Sequence, residues 1–230
     1  MTENSIFRGA STALITPLNA EGIDYENFGK LIDWQIEEGI DSLVICGTTG
    51  EASTMTDDEH RDVIDYSVKK VAGRVPVIAD AGSNDTAYAL DLIKCAASSG
   101  ADAMLVVTPY YNKATQKGLI AHFGAIAKSV DIPLILYNIP GRTGCNIAPK
   151  TVAELAKVKN IVAVKEASGN LSQVAEIAAL VGPDFDIYSG NDDQILPVLS
   201  LGGKGVISVL SNVAPKETHD MVAKFMDGDV

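Results

Sequence analysis

The chain has 230 residues, 47% of them hydrophobic and 21% charged, which is the composition of a folded globular protein and not of a disordered or fibrous one. Its formal net charge of −12 disfavours non-specific binding to nucleic acid, because phosphates are repelled at long range. No run of about eighteen apolar residues occurs, so we expect no membrane-spanning helix.

The N-terminus and the cysteines indicate the cellular compartment of the protein. The first ten residues, MTENSIFRGA, lack a basic stretch followed by an apolar core, so they predict neither a secretory signal nor a transit peptide. Cys46, Cys95 and Cys145 are odd in number and widely spaced, which is more typical of a reducing compartment than of a disulfide framework. We therefore expect a cytoplasmic protein.

One pattern repeats along the chain: a short apolar run with β-branched residues, a loop, and a helical stretch. Most of the apolar runs are nearly continuous, as expected for parallel strands covered on both faces. The predicted strands are TALITPL (12–18), DSLVICG (41–47), PVIADAG (76–82), AMLVVTP (103–109), PLILYNI (133–139), IVAVKEA (161–167), DIYSGND (186–192) and GVISVLS (205–211).

The helical stretches between these runs have a period of 3.6 residues. The first presents one apolar face made of Phe28, Leu31, Ile32 and Ile36. Thr56 and Glu59 have the spacing of a capping box before the second helix. Asn170 is a predicted N-cap of a later helix.

Eight consecutive βα units of about thirty residues each predict a single (β/α)₈ barrel of the α/β class. A doubly wound open sheet is the alternative, but no G-x-G-x-x-G follows the first strand and no midpoint change suggests a switch point. We expect one domain over residues 1–230. Active sites in such barrels form at the C-terminal ends of the strands, so function is sought there.

The strand at 41–47 is followed by Gly47-Thr48-Thr49-Gly50-Glu51. This segment lacks the Gly-Lys-[Ser/Thr] of a nucleotide-binding P-loop. Glycines let a backbone approach a ligand closely, so two hydroxyls and nearby N–H groups can bind a small carboxylate here. A turn chosen only for its backbone conformation is the alternative.

Two further strand ends carry aromatic and cationic side chains. Thr108-Pro109-Tyr110-Tyr111-Asn112 contains paired tyrosines, which in a loop more often pack or contact a subunit than catalyse. After the next strand, Tyr137 precedes Arg142 in a glycine-rich loop. An arginine so placed can bind a carboxylate through two parallel hydrogen bonds, and a surface salt bridge is the alternative.

Lys165 interrupts the apolar run IVAVKEAS at 161–168. Glu166 is a poor partner for it, because successive side chains on a strand point to opposite faces. Three explanations compete: an ion pair with an inward carboxylate, a stem that reaches the barrel mouth, or a neutral amine kept as a nucleophile. Burial lowers a lysine pKa and Tyr137 lies on the adjacent strand, so we favour a nucleophile that forms a Schiff base with a ketone.

The remaining polar clusters predict no other chemistry. His60, His122 and His219 fall on three different helices without metal-ligand spacing, so we expect no metal site. The segment Leu201-Gly202-Gly203-Lys204-Gly205 suggests phosphate binding, but it enters a strand and therefore lies at the opposite end of the barrel. We predict a tight turn.

Together these motifs resemble the dihydrodipicolinate synthase family, among the pyruvate-dependent class I aldolases, over essentially the whole chain. The motifs of the wider superfamily are Gly47-Thr48-Thr49-Gly50-Glu51, Tyr137-Asn138-Ile139-Pro140 and Val164-Lys165-Glu166-Ala167-Ser168. Those closer to the family are Thr48-Thr49, Pro109-Tyr110-Tyr111-Asn112 and Gly141-Arg142-Thr143-Gly144. The resemblance implies condensation of pyruvate with L-aspartate 4-semialdehyde to 4-hydroxy-tetrahydrodipicolinate, in lysine and diaminopimelate biosynthesis, without a metal or dissociable cofactor.

The resemblance also implies catalytic roles. Lys165 is matched to the Schiff-base lysine for pyruvate, and Tyr137 to the general acid/base. Tyr137 would relay protons through the Thr48 hydroxyl to Tyr111, which reaches into the site of a neighbouring subunit in this family. We therefore expect a homo-oligomer, either a dimer or a tetramer.

The same resemblance assigns substrate-binding roles. Thr48 and Thr49 would hold the pyruvate carboxylate, and Arg142 the carboxylate of the semialdehyde. The backbones of Gly190 and Ile207 would line the remaining wall. The alternative is a sister aldolase acting on N-acetylneuraminate or a 2-keto-3-deoxy sugar acid, against which Arg142 is the discriminating feature.

His60, Asn84 and Tyr110 match positions that bind lysine in feedback-inhibited members. Tyr88 stands where those members have a glutamate for the ammonium group of lysine. Loss of that charge pair predicts weak or absent inhibition.

The family's members differ from this sequence in one respect. Members usually continue past the barrel into a helical C-terminal extension, whereas this sequence ends at residue 230, at or just after the eighth predicted helix. We expect the extension to be absent, which makes a truncated barrel with little or no turnover a further alternative.

Overall fold

The computed structural model describes residues 5–229, so residues 1–4 and 230, which belong to the predicted N-terminal segment and to the predicted domain range, lie outside the described residues. The strands are β1 (Gly9–Ala13), β2 (Leu18–Asn19), β3 (Gly22–Ile23), β4 (Ser42–Ile45), β5 (Val77–Asp80), β6 (Ala103–Val107), β7 (Leu134–Asn138), β8 (Ile161–Glu166), β9 (Asp186–Ser189) and β10 (Gly205–Ser208). All except β2 and β3, which form a small antiparallel hairpin, close into a parallel barrel of order β1-β10-β9-β8-β7-β6-β5-β4.

Helices follow the strands around the outside of the barrel. They are α1 (Tyr25–Glu37), α2 (Asp57–Val71), α3 (Thr86–Ser98), α4 (Gln116–Ala127), α5 (Pro140–Thr143), α6 (Pro149–Leu155), α7 (Leu171–Val181), α8 (Ile195–Ser200) and α9 (Pro215–Met226). This alternation confirms the predicted (β/α)₈ barrel. Within residues 5–229, no helix combines the length and the apolar character needed to cross a bilayer.

The predicted helix starts are confirmed in atomic detail. The backbone N–H of Glu59 donates to Thr56 Oγ1 at 3.3 Å, and the N–H of Thr56 donates to Glu59 Oε2 at 2.8 Å. This reciprocal pair satisfies donors that the first turn of α2 leaves without a helical acceptor. The Asn170 side chain likewise accepts from Gln173 N at 3.2 Å and caps α7.

The first barrel strand begins earlier than the sequence predicts. The apolar run at 12–18 overlaps β1 by two residues only, and Leu18 lies in the hairpin with 50% of its surface exposed. The reason is crowding between β1 and β10, because a Cβ on Gly205 would lie only 2.0 Å from the carbonyl oxygen of Gly9. Small residues fit this contact, and a search for large apolar side chains misses a strand made of them.

The predicted turn before β10 is confirmed. The N–H of Gly203 donates to the Val198 carbonyl at 3.0 Å, and a Cβ at Gly203 would lie 2.8 Å from that oxygen. The segment therefore turns tightly at the N-terminal end of the barrel, away from the strand ends at which active sites form.

Candidate active site

A cavity of about 340 Å³ lies at the C-terminal ends of the barrel strands. Six of the predicted site residues line it: Thr48, Thr49, Tyr137, Arg142, Lys165 and Gly190. A larger depression of about 650 Å³ lies near the N-terminal strand ends, beside Pro76, Asp102 and Pro133. None of the predicted site residues lines that depression, so its size alone does not make it the site.

Lys165 lies inside the barrel on β8, directly opposite Tyr137 of β7 in the strand register. Each side chain is 5% exposed. The Nζ atom of Lys165 is 4.2 Å from the centroid of the Tyr137 ring, where the ring's electron-rich face attracts a cation. No ion pair within residues 5–229 includes Lys165.

Burial sets the protonation of this pair. Loss of solvent lowers the pKa of Lys165 from 10.5 to about 8, although the carboxylates of Asp80 and Asp192 oppose the shift. Arg142 adds to the lowering by like-charge repulsion. The uncharged amine is therefore more available near neutral pH than it is in an exposed lysine. Burial raises the pKa of Tyr137, so its phenol remains a proton donor.

The segment after β4 forms a 3₁₀ turn at Thr48–Gly50. Cys46 enters it with φ of +59°, in the left-handed region that non-glycine residues rarely adopt. A Cβ on Gly50 would lie 2.9 Å from the carbonyl oxygen of Leu14, so the turn packs closely against the residue that follows β1. Thr48 is exposed and Thr49 is half-buried at the cavity wall.

Arg142 lies on the short helix α5, which follows β7. Its side chain is exposed at the cavity wall and joins no ion pair within the described part of the chain. A guanidinium in this position is available to a substrate carboxylate.

Gly190 lies beside the lysine stem. Its N–H donates to the Glu166 carbonyl at 2.8 Å, and a Cβ there would lie 2.7 Å from Ala167 Cβ and 3.2 Å from Lys165 Cε. Only glycine permits this approach. Ile207, by contrast, is fully buried among the apolar side chains of the barrel interior and is not among the residues that line the cavity.

Tyr111 does not reach the cavity of its own chain. Its side chain is 88% exposed, its φ is +70°, and its N–H donates to the Thr143 carbonyl at 3.2 Å. The adjacent Tyr110 is 42% exposed. The relay from Tyr137 to Tyr111 is therefore not assembled within one chain.

The residues matched to lysine binding have contacts of their own. His60 is buried with Nε2 3.1 Å from the Asp80 carbonyl oxygen, and burial lowers its pKa. Asn112 Nδ2 donates to the Asn84 carbonyl at 2.9 Å. The Tyr88 hydroxyl donates to Asp57 Oδ1 at 2.6 Å.

Asp80 is a site residue that the sequence reasoning missed. It ends β5, its side chain is buried, and it lines the same cavity as Lys165. The signal was present, because a carboxylate at the end of the apolar run PVIADAG is as costly to bury as the lysine in IVAVKEAS.

Glu166, set aside as a partner for Lys165, belongs to a buried polar network on the outer face of β8. Its Oε2 accepts from Asn138 Nδ2 at 2.9 Å and from Gln173 Nε2 at 3.2 Å, and its Oε1 accepts from Ser168 N at 2.8 Å. Asn146 joins the same network through Asn138 and Gln173. The network ties the C-terminal ends of β7 and β8, which carry Tyr137 and Lys165, to α7.

The chain is similar to known proteins in sequence and in fold. The model of the dihydrodipicolinate synthetase family matches residues 6–230. A 4-hydroxy-tetrahydrodipicolinate synthase of Acetivibrio thermocellus is 61% identical over 225 residues, which are 98% of this chain and 76% of that protein. A solved dihydrodipicolinate synthase of Aquifex aeolicus is 46% identical with a TM-score of 0.95, covering 97% of this chain and 76% of its own. The Acinetobacter baumannii enzyme, solved with pyruvate, is 42% identical with a TM-score of 0.95, covering 98% and 77%.

Proposed function

The chain belongs to the dihydrodipicolinate synthetase family and condenses pyruvate with L-aspartate 4-semialdehyde to 4-hydroxy-tetrahydrodipicolinate, and we propose that it does so through a Schiff base on Lys165. The observation that carries the proposal is the buried amine of Lys165 above the Tyr137 ring, at the wall of the cavity. Its lowered pKa makes the free amine available near neutral pH.

The first half of the reaction loads pyruvate onto the lysine. The uncharged Nζ of Lys165 attacks the ketone carbon, and the hydroxyl of the resulting carbinolamine leaves as water after accepting a proton from Tyr137. The turn at Thr48 and Thr49 binds the pyruvate carboxylate through hydroxyl and N–H groups. The product is a protonated imine.

The second half forms the carbon–carbon bond. The protonated imine withdraws electrons, so the Tyr137 phenolate left by the loss of water removes a methyl proton and an enamine forms. The enamine carbon attacks the aldehyde of the second substrate, whose carboxylate Arg142 binds. The amino group of that substrate then attacks the imine carbon, which closes the ring and releases Lys165.

Trapping with borohydride tests the role of Lys165. The wild-type chain treated with pyruvate and borohydride is expected to gain one reduced pyruvate adduct in its intact mass, and Lys165→Ala none. Lys159→Ala is a matched control, because Lys159 is an exposed lysine at the other end of β8. An unmodified wild-type chain, or an equal adduct on Lys165→Ala, would end the proposal.

The sister aldolases are separated by substrate. Arg142, free of ion pairs within residues 5–229, favours an aldehyde that carries its own carboxylate over a neutral sugar end. Turnover is expected with aspartate semialdehyde and not with N-acetylneuraminate or 2-keto-3-deoxy sugar acids. Cleavage of a sugar acid without turnover of the semialdehyde would reverse the assignment.

We propose further that the chain works in the cytoplasm as a homo-oligomer. The free thiols of Cys46, Cys95 and Cys145 support a reducing compartment. The exposed Tyr111 supports an oligomer, because it is available to a neighbouring subunit and not to its own cavity. One solved relative at 41% identity and a TM-score of 0.96, covering 99% of this chain and 77% of its own, is described as a monomeric variant, so sedimentation is the direct test.

Weak or absent inhibition by lysine remains a prediction. Tyr88 is neutral and its hydroxyl is engaged by Asp57, so it offers no free carboxylate to an ammonium group. Activity measured over a range of added lysine is expected to stay nearly constant, and a tight, saturable loss would contradict this.

A further inference from the structure

A second ionisable side chain faces the cavity from across the barrel. Asp80 ends β5, and Lys165 lies on β8, three strands further around the barrel. Both line the cavity, and they are 8% and 5% exposed. The barrel thus holds a carboxyl and an amine in one small, poorly solvated space, where charges interact more strongly than in water.

Asp80 has little local compensation for its charge. Its Oδ1 accepts one hydrogen bond, from Gly82 N at 3.3 Å. Among the described residues, no lysine or arginine nitrogen lies within 4.0 Å of the Asp80 carboxylate. A buried carboxylate with one hydrogen bond is costly, and its presence at a strand end that faces the cavity points to a functional reason.

The other ionisable groups around Asp80 are neutral near pH 7. Burial raises the pKa of the Cys46 thiol and of the Tyr137 phenol, and it lowers the pKa of His60. His60 also points its Nε2 at the Asp80 backbone oxygen, not at the carboxylate. The positive charge that acts on the Asp80 carboxyl is that of Lys165.

The charges that act on Lys165 from other elements are Asp192 and Arg142. They have opposite signs and oppose each other at the amine. Asp192 and Asp193 also line the cavity, but both are more exposed than Asp80, and the Oδ2 atom of Asp192 accepts from the N–H groups of Val209 and Leu210 at 3.2 and 3.0 Å. Asp80 is therefore the most deeply buried carboxylate at the cavity wall, and it acts on the amine more strongly than Asp192 does.

We propose that Asp80 is the electrostatic partner of the Lys165 nitrogen, and that its carboxylate stabilises the positive charge that this nitrogen carries as an ammonium and again as the protonated imine. The inference rests on the proposed Schiff-base role of Lys165. A protonated imine withdraws electrons from the methyl carbon only while it keeps its charge, so a nearby carboxylate acts by keeping the imine in the protonated form from which the enamine is made. Asp80 acts through Lys165 and is a positioning residue.

The substitution Asp80→Asn isolates this charge. The amide keeps the shape of the carboxyl, and its oxygen can still accept from Gly82 N. Burial holds the pKa of Asp80 at about 7, so the wild-type carboxyl is charged in the range where Lys165 titrates. Without that charge the pKa of Lys165 falls further, and the imine loses part of its stabilisation.

The test follows imine formation as a function of pH. Enzyme and pyruvate are mixed at each pH, samples are trapped with borohydride in one common buffer, and the adduct is counted by intact mass. For Asp80→Asn we expect the acid limb of the rate to move to lower pH by roughly one unit, and the half-saturating pyruvate concentration to rise by on the order of tenfold.

Asp186→Asn is the matched control. It removes another buried carboxylate inside the same barrel, at the N-terminal end of β9, where Asp186 contacts Ser5 and Tyr188 and not the cavity. Its acid limb should coincide with that of the wild type. Asp80→Ser provides the same measurement if the amide variant does not fold.

The outcomes separate the two proposals. A wild-type chain that forms no adduct overturns the role of Lys165 and this inference with it. A normal wild-type adduct together with an unmoved acid limb in the folded Asp80 variant overturns the inference alone. A limb that moves in both Asp80→Asn and Asp186→Asn would assign the effect to the general charge of the barrel, and would also overturn it.

Discussion

At the scale of single residues, a substitution at Tyr137 can separate the effect of proton transfer from the effect of packing. Its ring lies beneath Lys165 Nζ, and its side chain borders the cavity. Tyr137→Phe keeps the ring and removes only the proton donor. We expect kcat to fall by about 10²–10⁴-fold, because that is the usual contribution of a positioned acid or base.

The stability of Tyr137→Phe shows whether a loss of activity comes from the chemistry or from unfolding. The free energy of unfolding of Tyr137→Phe should stay within about 0.5 kcal/mol of the wild type, because no bulk is lost from the interior. Steady-state kinetics and urea denaturation on the same preparation provide both values. An unchanged kcat in a folded variant would contradict the role of Tyr137 as acid/base.

The residues that the sequence predicts and those it misses differ in a physical way. Lys165 is conspicuous in the sequence because it is a single charged residue in an apolar strand. Tyr137 can be predicted from it because the two residues lie on adjacent strands. Asp80 carries the same signature, but its significance depends on the cavity that it shares with Lys165, three strands away. That relation exists only when the barrel closes.

At the scale of elements, the network around Glu166 joins the two strand ends that carry Tyr137 and Lys165. Three donors point at this buried carboxylate, from Asn138, Gln173 and Ser168. Glu166→Gln turns one acceptor into a donor, so an N–H group must face another N–H group in a buried setting. We expect a loss of about 1–3 kcal/mol in the free energy of unfolding, measured with urea.

A surface substitution of the same type controls for this effect. Glu26 pairs with Lys30 on the exposed face of α1, and exposed pairs contribute little. Glu26→Gln should therefore change stability by well under about 1 kcal/mol. Equal losses in the two variants would show that the Glu166 network does not stabilise these strand ends.

The elements themselves are predictable to the extent that large apolar residues mark them. Seven of the predicted strands coincide with observed barrel strands, since their Val, Ile and Leu side chains are what the barrel buries. The exception is β1, where the close approach of Gly9 and Gly205 requires small residues. Contact between the first and last strands is a property of the closed ring, and local hydropathy does not encode it.

At the scale of the whole molecule, the buried carboxyl of Asp80 makes stability depend on pH. Its folded pKa of about 7 is above the ordinary 3.8, so the folded state binds the proton more tightly than the unfolded state does. The resulting penalty is present above pH 7 and is relieved as the pH falls toward 3.8. Wild-type stability should therefore decline, relative to Asp80→Asn, as the pH rises from 4 to 7.

The size of this difference is on the order of a few kcal/mol across the window, because each pKa unit corresponds to about 1.4 kcal/mol. Urea denaturation of both proteins at several pH values measures it. Asp91→Asn is the control. Asp91 is exposed and pairs with Arg61 at the surface, and such pairs contribute little to stability, so the pH profiles of the wild type and Asp91→Asn should be parallel. Parallel profiles for Asp80→Asn would contradict the burial penalty.

The last whole-molecule question is whether the site is completed by a second chain. Tyr111 is 88% exposed and does not line its own cavity, whereas Lys165 does. If Tyr111 acts in the site of a neighbouring chain, each site takes its Lys165 from one chain and its Tyr111 from another. An oligomer that mixes Tyr111→Phe chains with Lys165→Ala chains then contains some sites in which both residues are intact. Co-refolding the two inactive variants should restore part of the activity, measured as turnover of pyruvate and aspartate semialdehyde.

The pair Tyr137→Phe and Lys165→Ala gives the matched control, because both lesions fall in the cavity of a single chain. Every site in that mixture lacks either the acid/base or the lysine, so no activity should return. Recovery in the first mixture above the activity of Tyr111→Phe alone, with none in the second, requires a site that is shared between chains. Full activity of Tyr111→Phe by itself would show that Tyr111 is a surface residue without a part in proton transfer, and an inactive Tyr111→Phe that is not rescued in the first mixture would contradict the shared site.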